Sequence, residues 1–290
     1  MKILLLSFIL LSSSVLQAQY YYNDIIGTLE TNRQMQTYLA NKVKMVTATG
    51  YTPQGAKATD FAEVHEITES GKTLKISRNT ELMHSSFYNR FDVQNRLISI
   101  IDTSLGIQNI TSYEYDAGGR IISIQNMVKD PATDIDMVEL HRWIYNKDGK
   151  VEKMWRTING TDSLEIRFIP DENGNPGEER SFRNGYETDM LYYYFDERNR
   201  ITDIVRYNKK VKKLMPNIII TYDDSDRVIQ KVISNDGDNY GLGKYGNILW
   251  IRYVIWRYIY NDRGLKTKEA LFNKDQDLTG KIEYSYTFGQ

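Results

Sequence analysis

The sequence contains no cysteine, only 5 prolines and only 3 histidines among 290 residues. Without cysteine the chain has no disulfides, thiolate metal sites, cysteine nucleophile or lipoprotein cysteine. Its stability must therefore come from packing. The scarcity of proline, beside 22 tyrosines and 19 glycines, favours β-strands joined by tight turns.

The chain also has almost no net charge. The 37 basic and 38 acidic residues leave a formal charge of −1. No global electrostatic field would attract nucleic acid or an anionic membrane surface. We therefore expect no nucleic-acid partner.

Long hydrophobic runs are absent after the N-terminus. The apolar run from Ile3 to Leu11 is shorter than the ~20 residues that a membrane-spanning helix needs, and residues 1–18 read as a signal peptide. We expect an exported chain without a transmembrane helix, located in the periplasm, at the outer membrane or outside the cell.

A repeated hairpin pattern fills most of the chain. In "YEYDAGGRIISI", residues 113–124, two tyrosines share one strand face, Asp116 initiates a turn, and Gly119 takes a positive φ before the return strand. The equivalent turn positions elsewhere are all glycine, asparagine or aspartate: Gly55, Gly71, Asn95, Gly149, Gly174, Asn199, Asp226 and Gly264. A basic residue often follows and is predicted to pair with the turn aspartate.

These hairpins predict an all-β fold, a long antiparallel meander that forms one strongly twisted, curled sheet. A single hairpin is only marginally stable, and an open sheet of more than about ten strands tends to curl or close. One copy carries Pro170 and Pro176, which predicts a sheet edge or a bulge. A capping-box pattern at Thr31 predicts a short N-terminal helix over residues 32–42.

The predicted organisation is a signal peptide at residues 1–18, an N-terminal segment with a short helix at 19–45 and a hairpin-repeat domain at 46–290. The unit "YxYDxxGRI" resembles the YD repeat of the RHS family, in which tandem Tyr-Asp hairpins build a long coiling β-sheet. The signal peptide, followed by a helix and then hairpins, also resembles small secreted proteins of Bacteroidetes.

Aromatic residues that recur at two strand positions predict a ladder across neighbouring strands, which we interpret as a binding face. The predicted binding residues are Tyr113, Tyr115, Trp143, Tyr145, Tyr193, Tyr258 and Tyr260. Two long connections, residues 126–140 and 235–247, are further places for a binding site.

No catalytic or metal-binding pattern stands out. His65, His84 and His141 lack zinc-protease spacing, and packed or surface positions are favoured for them. Calcium-like runs at 171–175 and 273–277 fit turn chemistry better than an EF-hand. The lysines at 209, 210, 212 and 213 are interpreted as a solvated loop. We predict no cofactor and no metal.

The predicted function is a secreted, non-enzymatic β-repeat protein of the cell envelope that binds a protein or polysaccharide partner. One alternative is an outer-membrane β-barrel, supported by an aromatic C-terminal strand but opposed by short, charged strands. The other is an envelope hydrolase that uses Asp134, Asp136 or Glu139. The sequence does not identify the partner or the oligomeric state.

Overall fold

The computed structural model describes residues 20–80, 83–104, 108–130, 135–208, 212–234 and 253–289. Within these ranges the chain forms one α-helix, α1 (Asn23–Ala40), a 3₁₀ turn at Glu69–Gly71, and eighteen strands. The strands are β1 (Val43–Tyr51), β2 (Lys57–Thr68), β3 (Thr73–Thr80), β4 (His84–Phe91), β5 (Leu97–Asp102), β6 (Gln108–Tyr115), β7 (Ile121–Asp130), β8 (Ile135–Tyr145), β9 (Val151–Ile158), β10 (Asp162–Pro170), β11 (Pro176–Arg183), β12 (Tyr186–Phe195), β13 (Ile201–Asn208), β14 (Lys213–Tyr222), β15 (Val228–Ser234), β16 (Tyr253–Tyr260), β17 (Lys266–Phe272) and β18 (Leu278–Phe288). The predicted signal peptide lies outside the described residues.

The sheet closes into a barrel. Each strand pairs antiparallel with the next, and β18 pairs back with β1, where Val46 lies opposite Tyr286. The predicted meander of hairpins is therefore confirmed. A long sheet was expected to curl or to close, and this sheet closes. Because β10 pairs with both β9 and β11, the proline-containing hairpin is not at an edge. The predicted bulge is present, between Ile169 and Pro170.

The turn prediction is confirmed at every position. Each of the nine equivalent residues has a positive φ, including Asn95 at 60° and Gly119 at 81°. In four of these turns an aspartate accepts backbone N–H groups through one carboxylate oxygen and an arginine through the other. The predicted pairs all form: Asp92 with Arg96, Asp116 with Arg120, Asp196 with Arg200, and Asp223 with Arg227.

The two calcium-like sequences form turns of the same geometry. The Oδ1 atom of Asp171 accepts the N–H groups of Asn173 and Asn175 at 2.9 and 2.8 Å. In the second sequence, Asn273 accepts the N–H groups of Asp275 and Asp277, both at 2.9 Å. Turn chemistry, the favoured interpretation, therefore accounts for both runs.

Replacing Gly119 with alanine should test the backbone requirement. We expect a loss of about 1–2 kcal/mol, because a side chain disfavours the left-handed conformation. The added Cβ would meet nothing closer than Arg96 Nη1 at 3.6 Å, so the cost lies in the backbone. The matched control is Gly27→Ala inside α1, which should stabilise by roughly 0.5–1 kcal/mol. If urea unfolding showed that both variants change the free energy of unfolding in the same direction, this explanation would be contradicted.

Helix α1 crosses the barrel lumen and contacts opposite walls. At its N-terminal end, the backbone N–H of Tyr22 donates to Glu179 on β11 at 3.0 Å. Near its C-terminal end, the Tyr38 hydroxyl lies 3.3 Å from His65 Nδ1 on β2. In a ring of eighteen strands, β2 and β11 lie on opposite walls. The helix, about 27 Å long at 1.5 Å per residue, spans between them.

Contacts from the middle of α1 reach the remaining walls. Asn32 Oδ1 accepts the backbone N–H of Leu97 on β5 at 2.8 Å, and Lys231 on β15 donates to Glu30 at 3.2 Å. The hydrophobic core fills the space between α1 and the inward strand faces, where Met35 is fully buried. No helix in the described ranges is long and apolar enough to cross a membrane.

The predicted start of the helix was wrong. The sequence placed it at residues 32–42, whereas α1 begins at Asn23 and ends at Ala40. Thr31, taken as the capping residue, lies inside the helix, and its hydroxyl donates to the Gly27 carbonyl at 2.9 Å. The extra turns have no local cap and are held by tertiary contacts instead. Strand β1 begins at Val43, within the segment predicted at 19–45.

The first predicted long connection, residues 126–140, was also wrong. Strand β7 continues to Asp130 and β8 starts at Ile135, with Asn126 opposite Glu139. The polar residues Asn126, Lys129, Asp136 and Glu139 lie on the strands of one hairpin, and residues 131–134 lie outside the described residues. The second connection, residues 235–247, lies outside the described residues, as do Lys209 and Lys210. Lys213 begins β14.

Candidate functional site

Each of the two inward-facing histidines belongs to a Glu–His–Arg cluster. In the first, called the β2 cluster, Glu63 and His65 lie on β2 and Arg78 on β3. His65 Nε2 is 2.7 Å from Glu63 Oε1, and Arg78 Nε donates to Glu63 Oε2 at 2.6 Å. Burial opposes ionisation of Glu63, but His65 and Arg78 together lower its pKa to about 2. His65 in turn contacts Tyr38 of α1.

The second group, called the β8 cluster, repeats this arrangement. His141 Nε2 lies 2.8 Å from Glu139 Oε1, to which Arg156 Nε donates, also at 2.8 Å. His141 Nδ1 lies 2.6 Å from Asp24 in the first turn of α1. Burial would lower the pKa of His141, but the carboxylates of Asp24 and Glu139 raise it to about 9. His141 is therefore a cation at neutral pH.

Glu179 on β11 holds the start of the helix. This side chain is 2% exposed, and it accepts the backbone N–H groups of Tyr21 and Tyr22, both at 3.0 Å. The Tyr193 hydroxyl donates to it at 2.6 Å. Burial raises the pKa of Glu179 to about 7, against the effect of these hydrogen bonds.

The polar groups of both clusters are bound to one another and to α1. A general base needs a vacant lone pair near neutral pH. His141 is instead protonated between two carboxylates, and Glu139 is ionised and bound by Arg156. Among the described residues, no group of three or more metal-ligating side chains could hold a metal ion. The clusters fix α1 across the lumen.

The seven predicted binding residues line the inside of the barrel. Trp143 and Tyr193 are 4% and 3% exposed, and Trp143 stacks on Phe168 with ring centroids 5.5 Å apart. Tyr113 packs between two core clusters, and burial raises the pKa of Tyr258. These contacts join the rings to other parts of the fold, and the role of the rings in binding stays a prediction.

The remaining three of these residues have a shared structural role. The hydroxyl of Tyr115 donates to the Leu97 carbonyl of the preceding hairpin at 2.6 Å, and the Arg96 guanidinium lies 4.7 Å from its ring centre. Tyr145 and Tyr260 make the same contacts with their own preceding hairpins. At these three places, Arg–Tyr stacking links a turn to the hairpin that follows it.

The clusters carry a sequence signal that the hairpin pattern did not reveal. Glu-X-His occurs twice, at Glu63–His65 and Glu139–His141, and an arginine follows on the next strand each time. Packed or surface positions were predicted for the histidines: His65 and His141 are packed, and His84 is exposed. What the histidines hold could not be predicted, because α1 is distant in sequence.

Of the three carboxylates of the hydrolase alternative, the structure describes the side chain of Glu139. Glu139 belongs to the β8 cluster, where His141 and Arg156 bind it. Asp134 lies outside the described residues, and Asp136 lies on β8. The described contacts of Glu139 are therefore those of the β8 cluster.

The outer face of the barrel carries a small cleft with aromatic walls. Trp155 on β9, Glu165 on β10 and Phe182 on β11 lie side by side in register. With Ser163 and the turn residues Asn184 and Gly185, they line a volume of about 190 Å³. We call this the outer cleft. Trp155 is 38% exposed there.

Comparison with known proteins finds distant similarities. No protein-family model and no curated protein matches the chain. It is similar to the Tc holotoxin pore of Photorhabdus luminescens at 14% identity and a TM-score of 0.35, over 78% of this chain and only 12% of the toxin chain. A porin-like protein from Bacteroides uniformis is 10% identical with a TM-score of 0.38, covering 85% and 97% of the two chains. These similarities assign neither a family nor a function.

Proposed function

We propose that the protein is an exported, non-enzymatic protein of the cell envelope that serves as a binding or scaffold module for a protein or polysaccharide partner. One observation carries the proposal: the titratable clusters of the lumen are bound to α1, whereas exposed aromatic side chains lie on the outer wall. Tyr194 and Tyr207 are 48% and 41% exposed. A partner would meet the outer wall.

Ion pairs across the outer wall support an aqueous setting. Lys153 lies 2.8 Å from Glu165, Arg180 lies 2.6 Å from Glu178, and these side chains point away from α1. A lipid-facing wall needs an apolar band about 25 Å tall. The second candidate function, an outer-membrane barrel, draws its support from the closure of the sheet.

Envelope fractionation tests the proposal. We expect the exported protein to be released in folded form by high salt or urea without detergent, and the purified protein to rebind washed envelopes. A requirement for detergent would favour the outer-membrane barrel. Turnover of envelope polysaccharide by the purified protein would contradict the non-enzymatic role, and failure to rebind would contradict the binding role.

A further inference from the structure

We infer that the outer cleft is a binding site for an uncharged saccharide chain. The inference rests on the proposed function and names the ligand class for it. It is drawn from the walls of the cleft, from its floor, and from the ligand classes that its charges disfavour.

The walls are two aromatic side chains on alternate strands. Trp155 and Phe182 flank the β10 strand, so their Cα atoms are about 9.5 Å apart at the usual spacing of paired strands. Aromatic walls with a few placed polar groups are typical of small-ligand sites. The C–H faces of a pyranose ring are apolar and match such walls.

The floor is a fixed carboxylate. Glu165 Oε1 lies 2.8 Å from Lys153 Nζ, and Arg167 Nη2 donates to Oε2 at 2.7 Å. These hydrogen bonds lower the pKa of Glu165 to about 2, so it stays an acceptor for sugar hydroxyls at any physiological pH. Ser163 and Asn184 add a hydroxyl and an amide beside it.

The same cations position the walls. The Arg167 guanidinium lies 4.1 Å from the centre of the Phe182 ring, and Lys153 Nζ lies 6.0 Å from that of Trp155. Such contacts are attractive because the face of an aromatic ring carries partial negative charge. Walls and floor are therefore linked to one another before any ligand arrives.

Charge and topology disfavour the other ligand classes. A cationic ligand would compete with Lys153 and Arg167 for Glu165, and an anionic ligand would meet the carboxylate on the floor. A peptide that binds by β-strand addition needs an open sheet edge, and the described strands are paired on both sides. A neutral ligand rich in hydroxyl groups remains the best match.

Titration calorimetry with the full chain, purified after export, tests the site. The probes are neutral hexasaccharides (cellohexaose, maltohexaose, mannohexaose and the hexamer of N-acetylglucosamine), with hexagalacturonate as the charged comparison. We expect at least one neutral probe to bind, and Trp155→Ala to raise its Kd at least tenfold. Phe182→Thr should weaken binding as well. The control Phe288→Ala removes an exposed ring on β18, outside the cleft, and should leave Kd unchanged.

The possible outcomes distinguish failure of the cleft as a binding site from failure of the proposed function. Binding that withstands both Trp155→Ala and Phe182→Thr, with unchanged circular dichroism spectra, would overturn the cleft. Envelope rebinding without binding of any neutral probe would overturn the saccharide class and leave the proposed function standing. Tighter binding of hexagalacturonate would overturn the preference for an uncharged chain. Loss of envelope rebinding in the unmodified protein would contradict the proposed function itself.

Discussion

Replacing Glu179 with alanine is expected to lower the free energy of unfolding by about 4 kcal/mol, because a buried donor left without an acceptor costs about 1–3 kcal/mol. Three donors lose their acceptor: the N–H groups of Tyr21 and Tyr22 and the hydroxyl of Tyr193. Urea unfolding followed by circular dichroism gives the value. The matched control is Glu187→Ala, an exposed glutamate on β12, which should change stability by less than about 0.5 kcal/mol. Similar losses for both variants would mean that Glu179 does not anchor the helix.

The glutamine variant adds a pH test of the same contact. The Glu179 carboxyl has a pKa of about 7 in the fold and an ordinary value of 4.5. Its folded pKa is raised, so its stabilising effect is complete below pH 4.5 and is lost as pH rises through 7. The difference corresponds to about 3 kcal/mol at 1.36 kcal/mol per pH unit. Glu179→Gln cannot titrate, so the wild-type protein should lose this much relative to the variant between pH 4.5 and pH 8. Parallel pH profiles would contradict the shift.

Replacing His141 with alanine should cost about 3–5 kcal/mol at pH 7, because Asp24 and Glu139 lose the buried cation that lies between them. The first turn of α1 would then lose its tie to β8. His84→Ala is the control: this exposed histidine on β4 contacts Asn79 at 2.6 Å, and its loss should cost less than about 0.5 kcal/mol. Thermal or urea unfolding of both variants measures the difference.

The pH dependence separates charge from packing at His141. Its pKa is raised from 6.5 to about 9, so its stabilising effect is present below pH 6.5 and disappears as pH rises through 9. The penalty of His141→Ala should therefore shrink between pH 7 and pH 10. A penalty that stays constant over this range would assign the loss to packing instead.

The turns could be predicted because their requirements are local. Which residues tolerate a positive φ depends on steric clashes within a single residue. Gly119 and Asn95 therefore indicate turns without any knowledge of the fold. The pairing of Asp116 with Arg120 spans four residues and is equally visible. Local geometry repeated along the chain was enough to predict the meander.

The direction in which the strands face depends on distant contacts. Alternation placed Tyr113 and Tyr115 on one strand face, but it does not say whether that face points outward or inward. Closure by β18 and the crossing of α1 decide it, and both join segments far apart in sequence. The start of α1 was missed for the same reason, since Glu179 on β11 holds it.

Closure of the barrel affects the order in which the chain folds. The Thr47 carbonyl on β1 accepts a hydrogen bond from Ser285, 238 residues later. Strand β1 is therefore paired on both sides only after β18 has formed. Helix α1 precedes all the strands and touches opposite walls, which means that the sheet must wrap around it. Contacts of such long sequence separation are costly to form early, so unpaired strand edges stay exposed until the final seam forms. A chain interrupted before β18 would keep those edges and be prone to aggregate.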